Sequence, residues 1–157
     1  MEYALTKWLH VLSSTVLFGT GIGSAYYFLV ATLSRDARNV ATVAGYVVTA
    51  DWLFTATTAV IQPLTGYWMM RVAGIGMEVA WLRWSVWLYV LAIACWLPVV
   101  WLQIHLRDLA RCAAANREAL SAEYWRCFRA WFGLGVAAFV AFVAFVAIFY
   151  LMTVKPA

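Results

Sequence analysis

The sequence predicts an all-α integral membrane protein, an antiparallel bundle of four helices. Three observations carry that expectation. The chain is 66% hydrophobic and 11% charged, with a mean hydropathy of +0.83, which leaves too few polar groups to cover a soluble globule. Its apolar residues gather into four runs, at 3–33, 40–70, 81–106 and 124–154, each longer than the ~20 residues that a helix needs to cross the hydrocarbon. No run alternates with period two, so a barrel is excluded and helices remain as the structure that satisfies its own backbone in lipid.

The first run holds His10, the pair Ser13-Ser14 and three alternate glycines, Gly19, Gly21 and Gly23. Helix association in a membrane depends on close packing and hydrogen bonds, and small residues let backbones approach. The glycine face is therefore expected in a close helix contact, or as the surface that receives a second copy or another membrane protein. Glu2 ahead of the run, its length, and Arg35-Asp36-Ala37-Arg38 after it without a cleavage pattern suit a span rather than a cleavable signal peptide.

The second run contains Asp51, Gln62-Pro63, Thr65, Met69 and Met70. A carboxylate inside a span costs on the order of 2.5–3.5 kcal/mol, and such residues face the bundle interior and find a partner. Asp51 has two explanations: a buried polar lock to Thr49, Thr55, Gln103, His105 or an arginine of the 35–38 turn, or a proton-handling acid. Pro63 frees a backbone carbonyl one turn earlier and kinks its helix, which is architecture alone or shapes a pocket opposite His10.

The third run ends on Gln103 and His105. Counting depth at ~1.5 Å per residue brings Asp51 and His105 within two turns of each other and puts His10 and His105 at opposite ends of the membrane. The two histidines thus cannot ligate one heme iron. The intramembrane polar set is Asp51, Gln62, Gln103 and His105. Beyond it, residues 107–126 mix alanines with Asp108, Glu118, Glu123 and arginines, as suits a helical hairpin joined near Asn116. That hairpin is a solvated charged face or, from Arg107 to Arg129, a docking surface for a cytoplasmic partner.

In the fourth run Ala138, Ala141, Ala144 and Ala147 are set against Phe139, Phe142 and Phe145. A three-residue period drifts around a 3.6-residue helix, so the run reads as packing and lipid contact.

Basic residues set the orientation. Seven of them, Arg35, Arg38, Arg107, Arg111, Arg117, Arg126 and Arg129, fall at one end, and four, Lys7, Arg71, Arg83 and Lys155, at the other. The positive-inside rule puts the first group in the cytoplasm and both termini outside, in the periplasm. Trp8, Tyr67, Trp68, Trp81, Trp84 and Tyr150 then form an outer aromatic belt, and Trp125 and Trp131 an inner one. The formal charge of +4 reports this loop asymmetry and not nucleic acid. Cys95, Cys112 and Cys127 have no zinc-pair spacing and read as structural thiols.

The blocks KWLHVLSSTVLFGTGIGSAYY (7–27), ADWLFTATTAVIQPLTGYW (50–68) and CWLPVVWLQIHLRDLA (95–110) resemble an uncharacterised family of small four-helix bacterial inner-membrane proteins, a domain of unknown function. More distantly, Leu9-His10 with the small residues after it, and Leu64-Thr65-Gly66, are similar to the HemJ-type protoporphyrinogen oxidases and the CopD-type copper-resistance membrane proteins. The resemblance implies His10 as a heme ligand. HemJ-type proteins carry a lysine in the third helix, whereas this chain has none there and has Arg83 near its start.

Three functions from different classes follow. The first is a b-type heme or porphyrin-binding redox protein, with His10 as iron ligand and Met69 or Met70 as a second axial donor, both chemically competent. The second is a cofactor-free accessory or assembly protein in the bilayer. The third is a small proton-coupled transporter working through Asp51. No nucleophile, base and oxyanion donor converge in the sequence, so no enzyme activity is assigned.

Overall fold

The computed structural model describes residues 1–155, with the side chains of Val136, Ala137, Ala138 and Ala141 outside the description. Its helices are α1 (Glu2–Leu33), α2 (Ala37–Ala50), α3 (Thr57–Ala73), α4 (Ala80–Asn116) and α5 (Ala122–Val154). A π-helical turn, Asp51–Ala56, joins α2 to α3, so the second apolar run is one continuous helical rod. The described residues are all-helical apart from short connections. Three stretches, Glu2–Leu33, Ala37–Ala73 and Ala80–Asn116, are long and apolar enough to cross a membrane, and α5 contributes the shorter apolar stretch Phe142–Val154.

Local chemistry sets the helix ends. Asp36 accepts the Arg38 N–H ahead of α2, and Ser121 accepts the Tyr124 N–H ahead of α5, the side-chain N-caps that such ends need. Gly74 closes α3 in the left-handed region at φ 64°, where a residue without Cβ is at no disadvantage. The α4 helix runs ten residues past the apolar run that ends at 106. The alanine-rich segment after Leu109 is a strong helix former, and a helix has no need to stop where the hydrocarbon does.

The most closed part of the core lies where the end of α1 meets the start of α2, the end of α4 and the start of α5. Phe28, Val40, Leu106 and Tyr124 are fully buried there, and Thr32 and Tyr124 share a 2.8 Å hydroxyl–hydroxyl hydrogen bond. Trp131 packs edge-on to Phe28 with ring centroids 5.0 Å apart. It is a buried core residue, a correction to its expected place in an aromatic belt, because the turn of α5 that carries it faces α1. Arg35 lies over the Trp125 ring at this end. Lys155 lies over Trp81 at the other, and Trp8, Tyr67, Trp68, Trp84 and Tyr150 are exposed.

The glycines of α1 are not where a close helix contact would hold them. A Cβ added at Gly19, Gly21 or Gly23 meets no heavy atom within 4 Å, so within one chain the expected packing face is corrected to open space. The neighbouring aromatic explains it. Phe18 takes up the approach of α5, stacking on Phe142 at 5.3 Å and meeting Phe149 edge-on at 5.7 Å, and rings of that size keep the backbones apart. Ala144 is buried, while Ala138 and Ala141 of the expected alanine row lie outside the described side chains.

Candidate functional site

Two polar clusters stand along the line where α1 meets the α2–α3 rod, and they differ in how they are satisfied. The first is centred on Asp51. The π turn that begins at this residue closes its hydrogen bonds over five residues instead of the four of an α-helix, a distortion that tends to mark functional positions. Thr57 and Thr58 reinforce it by donating to the Leu53 and Phe54 carbonyls. Asp51 is 3% exposed. Its Oδ1 accepts from Ser24 of α1 at 3.1 Å and from Thr55 at 3.2 Å, whereas Oδ2 has no hydrogen-bond partner among the described residues.

Asp51 opens onto a cavity of about 270 Å³ between α1, the π turn, α4 and α5, whose walls include Leu17, Phe18, Trp96, Val99, Phe142 and Phe145. Gly21, Cys95 and Gln103 also line it. Gln103 is 3% exposed, and its Oε1 is buried without a partner. Buried polar atoms are nearly always paired. The Asp51 carboxylate borders an apolar chamber whose lining contains no Lys or Arg, while Gln103 Oε1 is packed away from open space.

The expected lock for Asp51 is corrected in most of its members. Thr55 is a partner, but Thr49 bonds back to its own helix at the Gly45 carbonyl. His105 lies at the α4–α5 end, stacked on Trp101 and 3.6 Å from Glu123, because the register of α4 against α5 turns it away from the rod. Arg35 is engaged with Trp125. The donor from α1, Ser24, carries no sequence signal beyond following Gly23.

The second cluster is closed. Gln62 donates through Nε2 to the His10 carbonyl at 2.8 Å and to Ser13 Oγ at 2.7 Å. His10 Nδ1 lies 2.8 Å from Thr65 Oγ1. Thr65 Oγ1 also lies 2.8 Å from the Ile61 carbonyl; with its proton given there it accepts from Nδ1–H, the tautomer in which Nε2 keeps its lone pair. Gly66 faces the ring: a Cβ there would stand 3.5 Å from His10 Cε1, an ordinary van der Waals contact. This register places Thr65 and Gly66 level with His10. Met69 and Met70 sit one helical turn further along α3, about 5.4 Å.

Pro63 has an identifiable counterpart. It cannot donate to the carbonyl four residues earlier, which belongs to Ala59, and Tyr89 of α4 donates its hydroxyl to that oxygen instead. A freed carbonyl in lipid needs such a substitute. Proline minus four was readable in the sequence, but the identity of the donor was not.

Among the described residues no three His, Cys, Asp or Glu side chains gather as a metal site. A family model described as "Predicted integral membrane protein (DUF2269)" matches residues 4–156. No curated protein and no solved structure matches the chain. The match covers nearly the whole sequence, and the chain belongs to this DUF2269 family of predicted integral membrane proteins.

Proposed function

We propose that this is a small proton-coupled membrane carrier in which Asp51 is the proton-handling group. The observation that supports this most directly is the half-satisfied carboxylate. Ser24 and Thr55 hold Oδ1 in place, while Oδ2 is left toward a cavity without any cationic side chain. A buried charge without a partner is costly, so the carboxyl is suited to alternate between holding a proton and holding something else. The other titratable side chain lining the cavity is Cys95. In this reading α5 is the fourth span of an antiparallel bundle. The chain lies in a bacterial inner membrane with both termini in the periplasm and the seven arginines at the cytoplasmic end.

Infrared difference spectroscopy of the protein in lipid tests the assignment. A carboxylic-acid carbonyl band that disappears on raising the pH, and is missing from Asp51→Asn, is the expected result. A band unchanged in Asp51→Asn, or no protonated carboxyl at any pH at which the fold survives, overturns it.

A second reading rests on a different observation, the 2.8 Å contact between His10 Nδ1 and Thr65 Oγ1. A metal-ligating histidine characteristically gives its other ring N–H to a nearby acceptor, and the Thr65 contact does this for Nε2. The imidazole therefore fits as an axial ligand of heme b, which would supply one-electron redox chemistry. The cavity at Asp51 does not include His10, so the two readings concern separate places. A Soret band in purified protein that is lost in His10→Ala and kept in Asp51→Asn supports it. Protein purified from heme-replete cells without that band removes it.

A further inference from the structure

We propose that the cavity beside Asp51 binds a lipophilic primary or secondary ammonium ion, which donates N–H to Asp51 Oδ2. The inference rests on Asp51 being the working carboxyl of the carrier and names what it exchanges for its proton.

Hydrogen-bond bookkeeping sets the ligand's polarity. The cavity offers the unpaired Asp51 Oδ2, and the hydroxyl protons beside that carboxylate are spent, because Ser24 and Thr55 both give theirs to Oδ1. At Asp51 Oδ2 a carboxylate, phosphate or ketone would set acceptor against acceptor, which leaves both unpaired and costs their desolvation. The ligand must donate. Charge then narrows the class, since a carboxylate with no Lys or Arg in its chamber is matched by a cation and not by a neutral alcohol. A hard metal ion is a poor occupant, because such ions take six or more oxygen ligands.

The walls select the rest of the molecule. Phe18, Trp96, Phe142 and Phe145 present hydrocarbon and ring faces, and aromatic faces attract ammonium groups. A volume of about 270 Å³ is just below the range of about 300–1,000 Å³ typical of small-molecule sites, which suits one short chain or one ring. Asp51 confers selectivity: a quaternary ammonium has no N–H to give to Oδ2. Binding to the protonated site balances as ammonium plus carboxylic acid giving the ammonium–carboxylate pair and one proton released to water.

Hexylammonium, hexyltrimethylammonium and 1-hexanol are the probes, titrated into ¹⁵N-labelled full-length protein while the Trp96 indole resonance, assigned by Trp96→Phe, is followed. Hexylammonium should shift this resonance saturably and bind more tightly than the other two. Asp51→Asn should weaken it roughly ten- to hundredfold, the size expected for a charge-assisted hydrogen bond. Asp51→Leu, which leaves no acceptor, should abolish the preference over hexyltrimethylammonium. The remaining tryptophan resonances report that each variant is folded, and Asp51→Glu, which keeps the charge, should still bind. No saturable shift, equal binding of 1-hexanol, or unchanged binding in folded Asp51→Asn overturns the proposal. The infrared titration of Asp51 separates the two levels: with that band present and no hexylammonium binding, the ligand class falls and the proton site stands. With binding but no protonated carboxyl, the proton site falls and the amine site stands.

Discussion

The His10 cluster and the Asp51 cavity lie on the same pair of helical rods, and both bring polar groups of α1 against the rod that carries α3. At His10, Gln62, Ser13, Thr65 and the backbone are linked through short hydrogen bonds with Gly66 packed against the ring. At Asp51 one carboxylate oxygen is held by two hydroxyls, and the other has no partner beside an apolar chamber. In lipid, where apolar contact between helices gains nothing over contact with acyl chains, hydrogen bonds and close packing hold spans together. The first cluster is built to hold helices together. The second leaves hydrogen-bonding capacity unused, which is what a binding site needs and a lock does not.

If the contrast is real, mutations at the two places should diverge. The largest loss of stability is expected from Gly66→Leu, because a side chain growing from a point 3.5 Å from His10 Cε1 must displace the ring. Overpacking of this kind costs about 1–3 kcal/mol, read as an earlier midpoint in a detergent unfolding titration. Parent-like unfolding would show that the cluster is loose.

Gln62→Leu should follow, at about 1 kcal/mol, since two interhelical hydrogen bonds disappear and such bonds average about 0.6 kcal/mol each in a membrane. The same titration checks it, and no change would mean that Gln62 exchanges freely with water. Tyr89→Phe removes the single donor to the carbonyl freed by Pro63 and should cost roughly half as much, about 0.6 kcal/mol. Restoring the carbonyl's own partner with Pro63→Ala in the Tyr89→Phe background should recover that loss, and a failure to recover it would break the pairing of these two residues.

Asp51→Asn should be the mildest for folding. The amide oxygen still accepts from Ser24 and Thr55 at the same place, so the unfolding midpoint should move by less than about 0.5 kcal/mol, within the range of substitutions that touch no packing. A larger loss would make Asp51 a lock like Gln62 and erase the difference between the two clusters. Gly21→Ala adds a methyl group where no atom lies within 4 Å and should leave the fold unchanged.

How these features could be read from the sequence varied residue by residue. Asp51, Gln62 and Gln103 were identifiable as intramembrane polar groups because each stands out against an apolar run. Pro63 announced a freed carbonyl through its missing N–H. Ser24 and Tyr89 gave no such signal, since a serine after a glycine and a tyrosine in an aromatic helix are ordinary until a neighbour is known. Gly19, Gly21 and Gly23 were misleading within the single chain. Small residues permit a close approach without requiring one, and Phe18 on the same helix sets the actual spacing from α5.

What the chain determined by itself is therefore its environment and its helices. Transfer into a bilayer is a sum over residues in sequence order, and the backbone in lipid has one economical way to pair within a segment. Which polar groups meet was decided only by the tertiary structure. It depends on the rotation and register of each helix against the next, and one extra residue in a π turn, or one ring the size of Phe18, changes both. That is why His105 belongs with Glu123 rather than Asp51, and why Asp51 shares a chamber with Gln103.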